Sequence, residues 1–403
     1  MQKNIVICNA HWSNRGDEAA IRVYLDWLLE NRPDDTYHMI IKDGREVQQF
    51  PYNTKVTAHS SKFLPRNFLS VLLCTLTRGH MGGDMQMKRD VKTYRKADAV
   101  IYAPGGAVIS DRFWWRKQLE YLLPFLASKL YHIPMYVAAP SMGPYDTKKN
   151  WRNFVRKNLL SQAKCFCVRE EFSKQYLKSI GLKTDIEVTI DSAFYENEIQ
   201  KKEYIALDEE LQSFFQVHNR VIGMTITDFS WHVEYNKKAL RDKIIAEMKK
   251  IINYLADKSY GVLLIPQLFG NQNDSRILEK YRRSHVCIMD EKYDTYIQQK
   301  LVGRCFAVIG MRYHSNIFAA KAAVPFIAIA YEEKMTGFME AACLQEWCID
   351  LQNLSSQNVL DKFSKLLESY EEIKGSLEKK RMEWENTAKK NITLLDDFLM
   401  DNP

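Results

Sequence analysis

The chain has 403 residues, which is more than one ordinary hydrophobic core needs and suits two domains of about 200 residues each. A hydrophobic fraction of 46% and a charged fraction of 27% are typical of globular proteins and exclude a disordered or fibrous chain. The net charge of +7 is concentrated in residues 148–183, where ten Lys or Arg stand against two acids, so the rest of the chain is close to neutral.

The eight cysteines stand singly or in apolar runs, without a Cys-x-x-Cys pair. This pattern argues against a zinc knuckle and fits a reducing compartment. Met1 leads directly into an apolar run, so no signal peptide is expected, and no run approaches the roughly 18 apolar residues of a membrane span. We therefore predict a cytoplasmic protein.

Short apolar runs alternate with helical patterns along the chain, which predicts parallel sheets flanked by helices. The polar stretch 195–216 separates two series of runs, so we expect two Rossmann-like α/β domains that face each other across a cleft, over 1–195 and 196–365. The predicted strands of the first domain are Ile5–Cys8, His38–Ile41, Ala99–Tyr102, Met135–Ala138, Cys165–Val168 and Glu187–Ile190. Those of the second are Val221–Thr225, Gly261–Ile265, Val286–Met289, Phe306–Ile309 and Phe326–Ala330.

The motif Asn14-Arg15-Gly16-Asp17 follows the first strand and opens a helix. Gly16 permits a tight backbone, and Asp17 suits the first helical turn. The amides of this helix start can bind an anion, or the helix can simply begin there without a ligand. A GxGxxG fingerprint and a Walker lysine are absent, so dinucleotide and P-loop chemistry are not supported.

Residues 60–90 depart from the alternation. An apolar patch that begins with Phe63-Leu64-Pro65 is followed by glycines and then by Lys88 and Arg89. This order fits a mobile flap or a segment that contacts a membrane, and a core helix with a long loop is the alternative.

Small residues follow two further strands. Gly105 and Gly106 come after the run Ala99–Tyr102, and Ser141 comes after Met135–Ala138. Glycines at the carboxyl end of a strand let a ligand approach the backbone, so we expect these residues to line the cleft.

The basic segment 148–183 indicates a phosphate-rich partner or an anionic membrane surface, and a solvated helix face is the alternative. Within it, the spacing of four apolar residues predicts a helix whose cations turn away from one apolar stripe. The stripe is Trp151, Phe154, Val155 and Leu159, and the cations are Arg152, Arg156 and Lys157.

Arg169 ends a predicted strand and precedes Glu170 and Glu171. An arginine at this position can lie in the cleft and bind a carboxylate or a phosphate. A local ion pair with Glu170 or Glu171 is the alternative.

The most informative stretch lies at the ends of two later strands. The run Phe306–Ile309 leads through Gly310 to Arg312, His314 and Ser315, and the run Phe326–Ala330 leads to Tyr331, Glu332 and Lys334. Open α/β sheets bind ligands at this carboxyl edge. An arginine beside a histidine suits an anionic substrate that also needs a proton moved.

The last segment, 366–403, carries apolar residues at helical spacing and predicts one long amphipathic helix that packs back across the domain junction. These residues are Ile373, Leu377, Trp384, Ala388, Ile392 and Leu395.

The chain resembles the polysaccharide pyruvyl transferase family over about residues 1–345. The resemblance rests on the Asn-x-Gly-Asp motif, Gly105-Gly106, Val168-Arg169-Glu170, Asp191-Ser192-Ala193, Arg312-Tyr313-His314 and Tyr331-Glu332-Glu333-Lys334. The Arg-x-His segment with the downstream Tyr-x-x-Lys is the specific part, and the family's third glycine is Ala107 here.

The resemblance implies a fold similar to the GT-B glycosyltransferases and transfer of a pyruvyl group from phosphoenolpyruvate to two hydroxyls of a sugar, as a ketal. It implies that Arg169 and Arg312 bind the donor and that His314 moves protons. We add Ser315 and Lys334 as donor-binding residues, and Asn14, Gly16, Asp17, Gly105, Gly106, Ser141, Tyr331 and Glu332 as cleft-lining or acceptor residues.

The predicted partners are phosphoenolpyruvate and a sugar acceptor, which can be linked to a polyprenyl pyrophosphate, in the synthesis of a capsule or exopolysaccharide. Peripheral contact with the inner face of an anionic membrane is also expected, whereas a nucleic acid, a cofactor and a metal are not. The eight-residue spacing of Glu332 and Glu340 leaves open a nucleotide-sugar glycosyltransferase, although Glu333-Lys334-Met335 replace the glycines expected there. A third possible function is that of a non-catalytic assembly factor of a polysaccharide-synthesising machine.

Overall fold

The structure is a computed structural model, and it describes residues 2–41, 50, 52, 55–60, 68–202, 207–227, 229, 230, 232, 234–270 and 273–402. The chain divides into two compact units. The first contains residues 1–13, 20–195 and 386–403, and the second contains 14–19 and 196–385. Relative to the predicted domains, a short N-terminal segment groups with the second unit, and the end of the last helix groups with the first.

The first unit contains a seven-stranded parallel sheet in the order β3-β2-β1-β4-β5-β6-β7. The strands are β1 (Asn4–Ala10), β2 (Thr36–Ile41), β3 (Val56–Ser60), β4 (Ala99–Tyr102), β5 (Met135–Val137), β6 (Ala163–Val168) and β7 (Glu187–Val188). Its helices are α2 (Phe68–Leu76), α3 (Met85–Arg95), α4 (Trp115–Tyr131), α5 (Asn150–Leu160) and α6 (Glu171–Ser179).

The second unit contains a six-stranded parallel sheet in the order β10-β9-β8-β11-β12-β13. The strands are β8 (Val221–Thr225), β9 (Gly261–Leu264), β10 (Val286–Ile288), β11 (Ala307–Gly310), β12 (Phe326–Ala330) and β13 (Cys348–Asp350). Its helices are α7 (Glu198–Lys202), α8 (Glu209–Val217), α9 (Lys238–Asp257), α10 (Ser275–Leu278), α11 (Thr295–Gly303), α12 (Tyr313–Lys321), α13 (Glu333–Ala341) and α14 (Ser356–Glu368).

Two helices contribute residues to both units. Helix α1 (Arg15–Asn31) has its first turn in the second unit, and α15 (Tyr370–Asp401) passes from the second unit to the first. The six apolar residues that predicted the last helix all lie on α15 and are buried.

The sequence explains why these strands form. Central strands of a parallel sheet are covered on both faces, so they read as continuous apolar runs. All residues of β4, β8 and β12 are buried. Aspartates begin several of the helices that follow, for example Asp84 at α3 and Asp294 at α11, where their side chains accept amide hydrogen bonds. The predicted α/β architecture with two parallel sheets is confirmed.

Helix α5 corrects one prediction, because two residues of the predicted apolar stripe face solvent and one of the cations expected to turn away from it is buried. Trp151 is 58% exposed and Phe154 is 64% exposed, whereas Arg156 is fully buried. The guanidinium of Arg156 donates to Asp111 at 2.8 and 3.1 Å and to Gln118 at 2.7 Å. A buried arginine is stable when its donors are paired in this way, so Arg156 lies on the buried face of α5.

That pairing also reduces the basic face predicted for residues 148–183. Arg156 and Arg169 are both buried and ion-paired, and Lys149 lies 3.3 Å from Asp111. Lys148, Lys164, Lys178 and Lys183 remain exposed.

Residues 68–90 form α2, a turn and the start of α3, while Phe63-Leu64-Pro65 lies outside the described residues. Among the described residues, no helix combines the length and the apolar composition that crossing a bilayer requires.

Candidate functional site

The turn between β11 and α12 places Arg312, His314 and Ser315 at the carboxyl edge of the second sheet. Thr225, at the end of the neighbouring strand β8, holds this turn. Its hydroxyl oxygen accepts from the amides of Met311 at 3.0 Å and Arg312 at 3.1 Å and lies 2.8 Å from Ser315 Oγ. The turn is therefore fixed by a strand to which it is not adjacent in sequence.

Ser315 completes the same turn. Its side chain is buried, and its hydroxyl donates to the carbonyl of Arg312 at 2.6 Å. Gly310 allows the helix to start this close to the strand, because a Cβ atom there would lie 2.0 Å from Asn316 Oδ1. The donor-binding role of Ser315 stays a prediction.

The guanidinium of Arg312 is buried and oriented by Asp274. Nε donates to Asp274 Oδ2 at 3.2 Å, and Nη2 donates to Oδ1. Asp274 is itself held by the amides of Gln267 and Leu268 at 3.1 and 3.0 Å. A two-point contact of this kind fixes the plane of the guanidinium as well as its position.

Arg312 also donates to the hydroxyl oxygen of Tyr331. Burial disfavours the charged guanidinium, but the carboxylate of Asp274 and the oxygen of Tyr331 outweigh it and raise the pKa of Arg312. Burial, together with the charge of Glu332, also raises the pKa of Tyr331. At neutral pH the pair is therefore a cation and a neutral phenol.

His314 is buried on the first turn of α12 and packs against Gly16. A Cβ atom on residue 16 would lie 1.9 Å from His314 Nδ1 and 2.1 Å from Cγ. Real Cβ atoms do not approach so closely, so only glycine lets the backbone pass the imidazole. The sequence motif at 14–17 thus meets the Arg-x-His segment some 300 residues away.

The segment that carries Gly16 is anchored by its own backbone and by Arg15. The amide of Arg15 donates to the carbonyl of Gln267 at 2.9 Å, and its guanidinium donates to the carbonyls of Tyr293 at 3.1 Å and Glu291 at 2.7 Å. Arg15 therefore fixes the approach of Gly16 to the imidazole.

Asn14 and Asp17 shape the start of α1. The side-chain oxygen of Asn14 accepts from the amides of Gly16 at 3.0 Å and Asp17 at 3.4 Å. Asn14 is thus an N-cap residue. The ligand-facing roles predicted for Asn14 and Asp17 stay predictions.

The end of β12 carries a second charged group, formed by Glu332, Lys334 and His232. Lys334 Nζ lies 2.7 Å from Glu332 Oε2, and His232 Nε2 lies 3.8 Å from Oε1. Burial favours the protonated form of Glu332, but Lys334 and His232 outweigh it and hold its pKa well below the usual range. Glu332 is therefore an anion at neutral pH.

Aromatic rings surround this group. Lys334 lies over the ring of Tyr313, 5.5 Å from its centroid. Tyr331 meets Phe229 edge to face at a centroid distance of 4.7 Å, and His232 stacks on Tyr235 at 4.6 Å. Tyr313 is buried against His314 and Phe338, in keeping with a packing role.

The carboxyl edge of the first sheet carries the other predicted site residues. The buried guanidinium of Arg169 contacts Asp191 Oδ2 at 2.6 Å, Glu170 Oε1 at 2.8 Å and Ser141 Oγ at 2.9 Å. The amide of Ser141 donates to the carbonyl of Gly105 at 3.0 Å. The structure thus joins three strand ends in one network.

The structure bears on the predictions made for Arg169 and for Gly105. The local pair with Glu170, which was the alternative for Arg169, is present, and Asp191 adds a second carboxylate. A Cβ atom at Gly105 would meet only Asn9 Nδ2, at an ordinary 3.5 Å, so the fold itself does not demand glycine there. The carbonyl of Gly106 accepts from the amide of Val108 at 2.8 Å.

Sequence reasoning missed Thr225, His232 and Asp274. Thr225 ends a predicted strand, and a search of every strand end for polar residues would have found it. In the sequence, Asp274 follows the polar residues Asn271-Gln272-Asn273, which is a weaker signal. Nothing local distinguishes His232.

Three comparisons with known proteins extend these observations. A model of the family described as polysaccharide pyruvyl transferase matches residues 14–333. The amylovoran biosynthesis protein AmsJ of Erwinia amylovora is 24% identical over 408 aligned positions, which cover 92% of this chain and 93% of the relative.

Solved structures show the same fold. The UDP-GlcNAc 2-epimerase from Neisseria meningitidis, bound to UDP-GlcNAc, has a TM-score of 0.60 at 14% identity and covers 98% of this chain and 99% of its own. Anabaena Alr3699/HepE in complex with UDP-glucose has a TM-score of 0.60 at 12% identity and covers 99% of this chain and 100% of its own. At these identities the likeness establishes a GT-B-like fold and nothing about the ligand.

Proposed function

The chain belongs to the polysaccharide pyruvyl transferase family, and we propose that it moves a pyruvyl group from phosphoenolpyruvate to two hydroxyls of a sugar, forming a ketal in a glycan or a lipid-linked precursor. Family membership and the biosynthetic relative support a role in pyruvyl transfer during polysaccharide synthesis. The identity of the donor, the ketal product and the roles of individual residues are proposed.

The observation that carries the proposal is the fit of Gly16 against His314. Contact with an imidazole is the reason residue 16 must be glycine, and the same imidazole stands two residues from an oriented arginine. A buried histidine whose position is enforced from a distant segment suits a reaction that needs a proton moved at a fixed point.

Arg312 is the donor-binding residue in the second unit. Phosphoenolpyruvate carries a carboxylate and a phosphate, both of which accept paired hydrogen bonds from a guanidinium. Asp274 engages Nε and Nη2 and so sets the plane in which the guanidinium meets its ligand. Each charge-assisted contact contributes on the order of 1.5–3 kcal/mol.

The reaction balances without a redox partner. One sugar hydroxyl adds across the carbon–carbon double bond of phosphoenolpyruvate: its oxygen bonds to the central carbon, the methylene carbon takes up a proton as the π bond breaks, and the hydroxyl gives up a proton. The oxygen of the second hydroxyl then bonds to the same carbon as the carbon–oxygen bond to phosphate breaks. Inorganic phosphate leaves with the bonding electrons and with the proton of the second hydroxyl. His314 supplies or removes a proton, Lys334 offsets the charge of the departing phosphate, and no cofactor takes part.

In the first unit, Arg169 is the second proposed donor-binding residue, and Gly105, Gly106 and Ser141 are proposed acceptor residues. In the second unit, the proposed acceptor residues are Asn14, Asp17, Tyr331 and Glu332. Arg169 is supported by its position at the end of β6 and by the family motif. Glu170 and Asp191 orient its guanidinium as Asp274 orients that of Arg312.

The test incubates the purified chain with phosphoenolpyruvate and a panel of sugar acceptors and measures inorganic phosphate release together with product mass. Acceptor-dependent phosphate release with a product heavier by one ketal-linked pyruvate is expected. Release of a nucleoside diphosphate from an activated sugar, with phosphoenolpyruvate unchanged, is the result expected of a glycosyltransferase and would overturn the proposal. Heat-denatured protein gives the background.

A further inference from the structure

Helix α2 presents an apolar stripe to solvent. Leu69, Leu73 and Leu76 recur at the spacing of one helix face and are 77%, 41% and 53% exposed. Met81 and Met85 continue the exposed apolar surface through the turn and into α3. A contiguous patch of this kind marks a surface that contacts another molecule.

The exposure does not result from a loosely held helix, because the opposite face of α2 is anchored. Val71 and Cys74 pack with Met87 and Val91 of α3 in a small core of their own. The carbonyl of Thr75 accepts from the hydroxyl of Tyr131, which lies on α4, at 2.6 Å. The leucines therefore point outward from a helix whose other side is fixed.

The turn between the two helices is equally well determined. The amide of Gly83 donates to Ser70 Oγ at 2.7 Å, and Asp84 caps α3 through the amide of Met87 at 2.9 Å. Gly82 has φ +70°, and a Cβ atom there would lie 2.8 Å from the carbonyl oxygen of Ser70. Helices α2 and α3 thus form a well-ordered helical hairpin, which we call the 68–96 hairpin.

The hairpin is also strongly basic. Its six Lys and Arg residues are all exposed, whereas its acids are Asp84 and Asp90, and Asp90 lies 2.9 Å from His59. The cations of α3 follow Met85 along one helix face. The six cations are Arg78, Lys88, Arg89, Lys92, Arg95 and Lys96.

We propose that the 68–96 hairpin docks on the surface of an anionic lipid bilayer, with the leucines and methionines in the interfacial layer and the cations on the headgroups. Stable peripheral binding needs two such signals together, and this hairpin offers both on adjacent helices. A second copy of this chain is a less favourable binding partner for the hairpin than an anionic bilayer, because two such hairpins in contact would bring their positive charges together and repel each other. The inference is independent of the reaction proposed above.

The test measures co-sedimentation of the full chain with vesicles of phosphatidylcholine, with and without phosphatidylglycerol. Binding is expected only when phosphatidylglycerol is present. The double variant Leu69→Glu/Leu73→Glu should lower the partition coefficient at least about tenfold, as should Lys88→Glu/Arg89→Glu. Val217→Glu and Met382→Glu are matched controls, because these apolar side chains are equally exposed elsewhere, and should change it less than about twofold.

Three results would overturn the proposal. One is binding that survives both hairpin variants. Another is binding lost only when the exposed aromatic residues Trp114, Trp151 and Phe154 are replaced by serine. The third is light scattering that shows a dimer which dissociates on Leu69→Glu/Leu73→Glu while vesicle binding is unchanged. Thermal unfolding of each variant confirms that the fold is intact, and protection of residues 68–96 from hydrogen exchange on vesicles locates the contact independently.

Discussion

Gly16 and His314 lie so close that the α-carbon of one leaves no room for a side chain beside the ring of the other. A methyl group on residue 16 would stand 1.9 Å from Nδ1 and 2.6 Å from Cβ of the histidine. The atoms that such a methyl group would meet belong to the ring of His314 and its Cβ, and not to the tip of a flexible side chain. A side chain on residue 16 would therefore force the imidazole to move. The two residues form one structural unit although about three quarters of the chain lies between them.

Gly16→Ala should displace the imidazole and lower kcat by at least about 100-fold, because misplacing a reacting group by about 1 Å has this effect. Steady-state phosphate release from phosphoenolpyruvate checks it. Gly375→Ala is the matched control, since a Cβ atom there meets nothing within 4 Å on helix α15, and it should leave kcat unchanged. Equal rates for Gly16→Ala and wild type would remove the reason for placing His314 at the centre of the site.

His314→Ala should lower kcat by about 10²–10⁴-fold while the dissociation constant of phosphoenolpyruvate changes little, because general acid–base help is lost and the arginine contacts remain. Calorimetric titration of the donor and single-turnover rates separate the two quantities. His285→Ala, in the same unit and away from these strand ends, serves as the control. A variant that loses donor affinity and keeps its rate would assign His314 to binding instead.

Asp274→Asn should weaken phosphoenolpyruvate binding about tenfold or more, because the guanidinium of Arg312 loses the charged partner that orients it. It should also lower the free energy of unfolding by about 3–5 kcal/mol, the usual cost of breaking a buried ion pair. Donor titration and urea denaturation measure the two effects. Asp257→Asn, on an exposed carboxylate, should change neither. Unaltered donor binding in Asp274→Asn would show that the orientation of Arg312 is irrelevant to the donor.

Asp111→Asn should make the stability of the first unit less dependent on pH. Partial burial alone would raise the pKa of Asp111, but hydrogen bonds from Arg156 and the amide of Asp146 outweigh it and lower the pKa. A lowered carboxyl pKa stabilises the fold above the unfolded value of about 4 and ceases to do so as pH falls through the folded value.

The difference in unfolding free energy between wild type and Asp111→Asn should accordingly be largest at neutral pH and shrink below about pH 4. Urea denaturation at a series of pH values measures it, with Asp34→Asn as the exposed control. A difference that stays constant down to pH 2 would mean that Asp111 and Arg156 do not interact as a charge pair.

The strands that the sequence predicted well are those covered on both faces. The predicted limits of β4, β8 and β12 coincide with those of the structure. An uninterrupted apolar run of four or five residues is too short for a buried helix, so it predicts a buried strand. The predictions omitted β3 and β13, which lie at sheet edges and carry polar residues such as Thr57, His59 and Asp350.

Helix α5 and the site show where local patterns stop being informative. Hydrophobic spacing placed Arg156 on the wrong face of α5, since the deciding contacts are those of Arg156 with Asp111 and Gln118 on other elements. Likewise, the sequence indicated that Arg312 and Tyr331 are site residues, but not that Asp274 holds one of them. The partner of a buried charged side chain is set by which residues the folded chain brings next to it. The position of that side chain in the sequence, and its spacing from other residues, therefore do not identify the partner.

Two cations at the carboxyl edge of the second sheet are already paired with carboxylates before any substrate arrives. Arg312 is balanced by Asp274, and Lys334 is balanced by Glu332. An incoming anion therefore meets two cations that already share their charge with carboxylates, so the donor has to compete with Asp274 for Arg312 and with Glu332 for Lys334.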